Sequence, residues 1–352
     1  MKKMKTLGTY QVAFTYIGAL VGAGFASGQE LLKFFTVFGR NGIIGAGLSG
    51  VLFGLFGLLL MKVIVREKIE NYGHLLCYLF GRRLAFFVEG VLVFFLLSSL
   101  AIMLVAGGSL FRQLWASPFW LGFLLTTVVV CLALWVGLEG VLWLNTALVP
   151  GLVLLSLVVA LGGLPDRAGA VTTSAKLNLV GDHWFLATCL YVSYNFILGL
   201  VILSSLGHTA ENGGRKGVLL GGIVLGLLAA VISFSLFKQP FPVVSQALPL
   251  LVLAYQVHPL LGWAYSFVLW AAILTTALSI SFGLLKRLEQ LLALPRWGAI
   301  LLLFIPTFPF LYWSFPQMVV IIYPLIGYSG FVFLLLILGK TLSPQGFLRR
   351  KR

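Results

Sequence analysis

The chain has 352 residues, 60% of them hydrophobic and 9% charged, with a formal net charge of +15. A soluble domain carries about 25% charged residues, so this deficit, with a mean hydropathy of +1.07, excludes an ordinary soluble fold. Apolar runs of about 20 residues recur along the chain and point to membrane-spanning helices; the short alternating strands of a β-barrel are missing. In a soluble protein the positive balance would suit nucleic acid, but here Lys and Arg fall between the apolar runs, where they set membrane orientation.

Ten spans follow in chain order. The first runs over Gly8–Phe38 with an interruption. The next four lie near Asn41–Val65, Leu84–Phe111, Phe119–Gly137 and Leu138–Gly163. The second five lie near Trp184–Leu206, Lys216–Phe237, Pro259–Leu285, Arg296–Trp313 and Pro316–Gly339. With the N-terminus in the cytoplasm, only Arg40, Arg112, Arg167, Lys176 and Lys238 of the 24 Lys and Arg residues fall outside, and Lys33 lies within span one. That asymmetry obeys the positive-inside rule and places both termini in the cytoplasm of a multi-pass cell-membrane protein. Lys2, Lys3 and Lys5 ahead of an apolar stretch ending Gly24-Phe25-Ala26-Ser27 have the format of a cleaved signal, but apolar character resumes after Glu30, which favours a first span.

The segment Leu164–His183 divides the chain into two sets of five spans. An odd number per set means opposite insertion, the arithmetic of an inverted repeat. The expected organisation is one transporter domain over residues 1–352, made of repeats at residues 8–163 and 184–339. Pro150-Gly151 and Pro324 with Gly327 occupy the fifth span of each set. The apolar segment Pro242–Val257 is short and proline-bounded, so it reads as a surface or re-entrant piece.

Span one contains Gly18-Ala-Leu-Val-Gly22-Ala23-Gly24-Phe25-Ala-Ser27-Gly28-Gln29-Glu30. Backbone polar groups in lipid need partners, so a glycine-rich break is tolerated only beside protein, water or ligand. Unwinding at Gly22–Gly24 would aim N–H groups at a carboxylate and leave carbonyls near Gly18–Val21 for a hard cation. The same glycines also suit close helix packing. Gln29 and Glu30 add a gate or proton-linked group, since an ionisable residue inside a span is a functional candidate; a Glu30–Lys33 pair is the alternative.

Span six carries Ser193, Tyr194 and Asn195 mid-span, followed by Gly199, and a second broken helix is expected there, facing the first. Interhelical hydrogen bonding would equally account for those polar residues. Span eight carries Ala272, Thr275, Thr276 and Ser279, whose hydroxyls suit sodium or simply bond their own helix. Ser98 and Ser99 in span three are weaker candidates for the same cavity. Cys77, Cys131 and Cys189 are scattered, and His74, His183, His208 and His258 lie near span ends, so neither a disulfide framework, a metal cluster nor an enzyme site is expected.

Ten spans in two sets, a Gly-broken first helix and a Thr pair in span eight resemble the amino acid–polyamine–cation superfamily with the leucine-transporter fold. The phrase Gly22-Ala-Gly-Phe-Ala-Ser-Gly-Gln-Glu30 is similar to the signature of YkvI-type permeases. The resemblance implies a sodium site from Gly18, Val21, Ala272, Thr275 and Thr276. It also implies a substrate site at Gly22, Ala23, Gly24 and Phe25, with Ser193–Asn195 opposite and Ser98 nearby. Phe25 stands where two-sodium symporters have Asn, which argues against a second ion. The metal-ion branch uses Asp and Met in spans one and six, and neither is present.

The implied function is a secondary symporter, driven by sodium, for an amino acid or similar small zwitterion. Beyond sodium no cofactor is expected. The partners are a small solute and the lipid bilayer, with no nucleic acid and no obligate protein partner. Two alternatives stay open: a proton-coupled permease using Glu30 or Glu89, and a membrane sensor that binds a small molecule without moving it.

Overall fold

The computed structural model describes residues 8–69, 71–136, 141–164, 179–206, 213–292 and 295–342. Much of the segment between the two expected repeats lies outside them, as does His208. Among the described residues the regular structure is all helical. Seven stretches are long and apolar enough to cross a membrane, and two shorter apolar helices, Leu148–Gly162 and Arg296–Tyr312, accompany them. The first half of span one is absent from that set because its helix is divided, and the later part runs on into the stretch Gln29–Glu67.

The division makes three short helices, α1 (Thr9–Leu20), α2 (Ala23–Ser27) and α3 (Gln29–Phe34), before α4 (Gly39–Glu67). Then come α5 (Tyr72–Phe80), α6 (Arg82–Trp115), α7 (Phe119–Val136) and α8 (Val141–Gly162). The second set is α9 (Trp184–Leu206), α10 (Gly214–Phe237), α13 (Pro259–Leu292), α14 (Arg296–Phe304, continued as a 3-10 helix to Tyr312) and α15 (Phe315–Leu342). The proline-bounded apolar segment forms two short helices, α11 (Phe241–Val244) and α12 (Pro249–Val257).

Glycines decide the closest packing. A Cβ at Gly50 of α4 would meet the backbone of Gly226 on α10, and one at Gly222 would meet Gly54. Small residues let backbones approach where lipid gives no hydrophobic reason for helices to associate. The second spans of the two sets, α4 and α10, therefore lie against each other, and the third spans, α6 and α13, also touch. The first-span helix α1 packs on α8, α9 and α10, whereas α13 packs on α2.

Candidate functional site

The helix of span one ends because the backbone turns extended at two successive residues. Val21 has φ −87° and ψ 91°, and Gly22 has φ −91° and ψ −174°. Helical bonding resumes with Ala26 N–H donating to the Gly22 carbonyl at 3.1 Å. A second bend follows at Gly28, whose φ of +82° is left-handed and suits glycine.

Glu30 lies just beyond that bend, and its side chain folds back over the first. A Cβ at Gly24 would overlap the Glu30 carboxyl, so the glycine leaves the space that the acid fills. The Tyr194 hydroxyl donates to Glu30 Oε2 at 2.6 Å, and Tyr323 lines the same small cavity as the carboxyl. The two rings stack with centroids 4.6 Å apart and planes 15° off parallel. Glu30 is 2% exposed, and among the described residues no ion pair joins it to Lys33.

A cavity of about 20 Å³ adjoins this carboxyl, room for about one water. Its polar wall is Glu30, Ser99, Tyr194, Asn195, Thr276 and Tyr323. Gly22, Phe95, Met103, Leu198 and Ile280 supply the rest. Leu198, Thr276 and Ile280 also line a second cavity of about 70 Å³, which extends past Gly18, Ser279 and Gly283 toward the N-terminal side.

The opposite side is closed. Tyr265 of α13 donates its hydroxyl to the Ala26 carbonyl at 2.6 Å and lies 3.1 Å from the Ser156 hydroxyl. A Cβ at Gly28 would sit 2.9 Å from Leu250 of α12. Beyond this layer an outer vestibule of about 570 Å³, edged by Arg112, Gln246 and Gln317, shares no lining residue with the central cavity.

The expected site residues divide. Gly22, Glu30, Tyr194, Asn195 and Thr276 meet at the cavity. Ala23, Phe25, Ser98 and Ser193 are buried but do not line it. Ser98 donates to the Phe94 carbonyl at 2.9 Å, and its neighbour Ser99 faces the cavity instead. Gly24 carries the Glu30 carboxyl rather than an open face. Gln29 is buried, with Oε1 lacking a hydrogen-bond partner among the described residues.

Helix α9 corrects an expectation: it runs unbroken from Trp184 to Leu206. Ser193 and Asn195 are satisfied within the helix, while Tyr194 reaches out to Glu30. Ser193 donates to the Cys189 carbonyl and Asn195 Nδ2 to the Tyr191 carbonyl, while Tyr16 packs on Gly199.

Of the five expected sodium ligands, two line the cavity on the N-terminal side. Gly18 and Thr276 share the N-terminal-side cavity, but Val21, Ala272 and Thr275 lie outside its lining. Thr275 donates to Ala272 O at 3.2 Å. Glu89 is half-buried on α6, outside the central cavity. Among the described residues no three His, Cys, Asp or Glu side chains cluster.

Tyr323 and Tyr265 were not singled out from sequence. Each is a lone tyrosine in an apolar run, Tyr323 directly before Pro324. A hydroxyl at mid-span was the available signal, since a buried tyrosine needs a partner.

A helical membrane bundle whose first span opens beside a small polar cavity has the architecture of the leucine-transporter fold. The structure resembles MhsT solved in complex with L-phenylalanine, with a TM-score of 0.67 and 16% identity, over 98% of this chain and 92% of that one. It also resembles the manganese transporter of Eremococcus coleocola (TM-score 0.54, 17% identity, 94% and 78% covered). A third likeness is to Mhp1 in its inward-facing conformation (TM-score 0.54, 14% identity, 99% and 78% covered).

No protein-family model matches the chain. Two proteins of Bacillus subtilis (strain 168) are relatives. The uncharacterized membrane protein YkvI is 27% identical over 94% of this chain and 95% of its own length. YyaD is 28% identical over 88% and 90%. The chain is thus similar to YkvI and YyaD along most of its length, and its structure has the leucine-transporter fold.

Proposed function

We propose that the protein is a secondary active transporter for an amino acid or similar small zwitterion, held in the cavity beside Gly22 and Glu30. One observation carries this reading. A single buried acid, two tyrosine hydroxyls and an asparagine surround a cavity at the break of an otherwise apolar bundle. Polar groups at membrane depth are costly and mark solute or ion pathways. The adjoining cavity toward the N-terminal side and the closed layer at Tyr265 fit one half of an alternating-access cycle.

Ten spans in a five-plus-five inverted repeat, with both termini cytoplasmic, complete the proposed architecture. Contacts between like-numbered spans, α4 with α10 and α6 with α13, support it.

Sodium is the proposed driving ion. Gly18 and Thr276 already share a cavity, and closure of α1 on α13 would bring Val21, Ala272 and Thr275 toward them. Ion and solute would then favour the same closed state, which is the origin of coupling. Proton coupling is the second reading, favoured by a buried Glu30 whose hydrogen-bond donor is a neutral tyrosine.

Uptake into proteoliposomes, with sodium and proton gradients imposed separately, tests all of this. Accumulation under an inward sodium gradient is expected. Accumulation only under a proton gradient replaces sodium by protons. Saturable binding with no flux under either gradient overturns transport in favour of a sensor.

A further inference from the structure

Among the described residues Glu30 faces no cation from any element around it. From α9 it meets Tyr191 and Tyr194, and from α15 Tyr323. Helix α10 has no ionisable residue between Lys216 and Lys238, and α6 has none between Glu89 and Arg112. On α13 the stretch between His258 and Lys286 holds only Tyr265, whose hydroxyl is engaged by Ala26 and Ser156. Helix α2 and the turn Thr36–Phe38 contribute no ionisable side chain. Lys33, on Glu30's own helix, is half-buried and unpaired with it.

A buried carboxylate without a positive partner is strongly disfavoured, so such a group takes up a proton or meets a cation. The rest of the cavity wall is rich in acceptors. Asn195 spends its amide N–H on Tyr191 O, leaving Oδ1 as an acceptor. Ser99 adds a hydroxyl, and Phe95 and the tyrosines add aromatic faces, which attract cations. A solute carboxylate brought here would meet no fixed cation among the cavity's lining residues.

Resting on the transporter reading above, we infer that Glu30 recognises a protonated primary amine on the solute, and that this ammonium and a proton exchange for one another at the carboxyl. With no ammonium at the site the carboxyl holds a proton, because no cation faces it to offset a buried charge. When the ammonium binds, the carboxyl proton leaves to solvent and the charge of the site is unchanged. The solute's own carboxylate, where it has one, contributes less than its amine.

The test uses the purified full chain and matched probes: leucine, isopentylamine and 4-methylpentanoate, with the alanine and phenylalanine trios beside them. Binding is read as a rise in Tm and as Kd. The amine of at least one trio is expected to bind at least as well as the amino acid, and the acid not at all. In weakly buffered solution its addition should release about one proton per site, and its Kd should rise about tenfold per pH unit on the acid side, because one proton competes with one ligand.

Glu30→Gln keeps the side chain's size and its tyrosine partners. It should fold, lose the proton release and weaken amine binding about a hundredfold, as truncation of a buried charged pair does. Equal binding of acid and amine overturns the inference while leaving a solute site in place, as does amine binding with no proton release and no pH slope. Binding by none of the nine probes overturns both the inference and the amino-acid reading.

Discussion

The first spans of the two sets, α1–α3 and α9, began with the same expectation and ended differently. Both carry glycine and polar residues at mid-membrane. In span one the backbone leaves the helix at Val21–Gly22, and a carboxyl from the following turn fills the space over Gly24. In α9 Ser193 and Asn195 each bond a carbonyl four residues earlier, and the helix continues. A glycine opens a membrane helix where another group needs its volume; polar residues alone do not, because they can be satisfied along their own helix.

Paired glycine substitutions test that contrast most sharply. Gly24→Ala must displace the Glu30 carboxyl, so it should lower stability by about 1–3 kcal/mol and abolish ligand binding. Gly199→Ala meets the ring of Tyr16 at 3.1 Å and the end of Leu20 at 3.3 Å, away from the Glu30 carboxyl, and should leave binding intact. Equal Tm losses and equal binding in the two variants would erase the distinction.

Gly28→Ala probes the second bend. Its left-handed φ of +82° costs a non-glycine residue about 1–2 kcal/mol, and Leu250 adds a clash, so a Tm fall smaller than that of Gly24→Ala is expected. Unchanged Tm would mean the bend relaxes freely.

Tyr265→Phe removes the hydroxyl that ties α13 to Ala26 of α2. A hydrogen bond between membrane helices is worth about 0.6 kcal/mol. The effect on Tm should be small, but labelling of a cysteine placed at Ser27, which is buried on α2, should speed up as the outer layer loosens. An unchanged labelling rate would show that this contact does not hold the layer shut. The smallest effect belongs to Ser193→Ala on α9. Its hydroxyl bonds its own helix, so binding should be unaltered; a lost ligand response would return Ser193 to the site.

Much of the fold was legible because apolar runs and the placement of Lys and Arg are coarse signals that survive local error. Glu30 was legible for a related reason, since an acid inside a span stands out from its surroundings. The rest depended on rotation about helix axes. Ser98 and Ser99 are adjacent and chemically alike, and only packing decides that Ser99 faces the cavity. Tyr323 was silent because a tyrosine in an apolar run equally suits a bilayer interface. Its stacking on Tyr194 depends on how α15 packs against α9. The unbroken α9 was missed because back-bonding by Ser193 and Asn195 leaves no mark in the sequence that separates it from ligand binding.

The account rests on the cavity beside Gly22 and Glu30 being where solute binds. A structure of the full chain determined with the strongest-binding amine probe tests this most directly. The account predicts solute density between Glu30, Asn195, Ser99 and Tyr323, with the amine within hydrogen-bond distance of the Glu30 carboxyl. Density confined to the outer vestibule at Arg112 and Gln317, with the Glu30 carboxyl still bonded only to Tyr194, would contradict it.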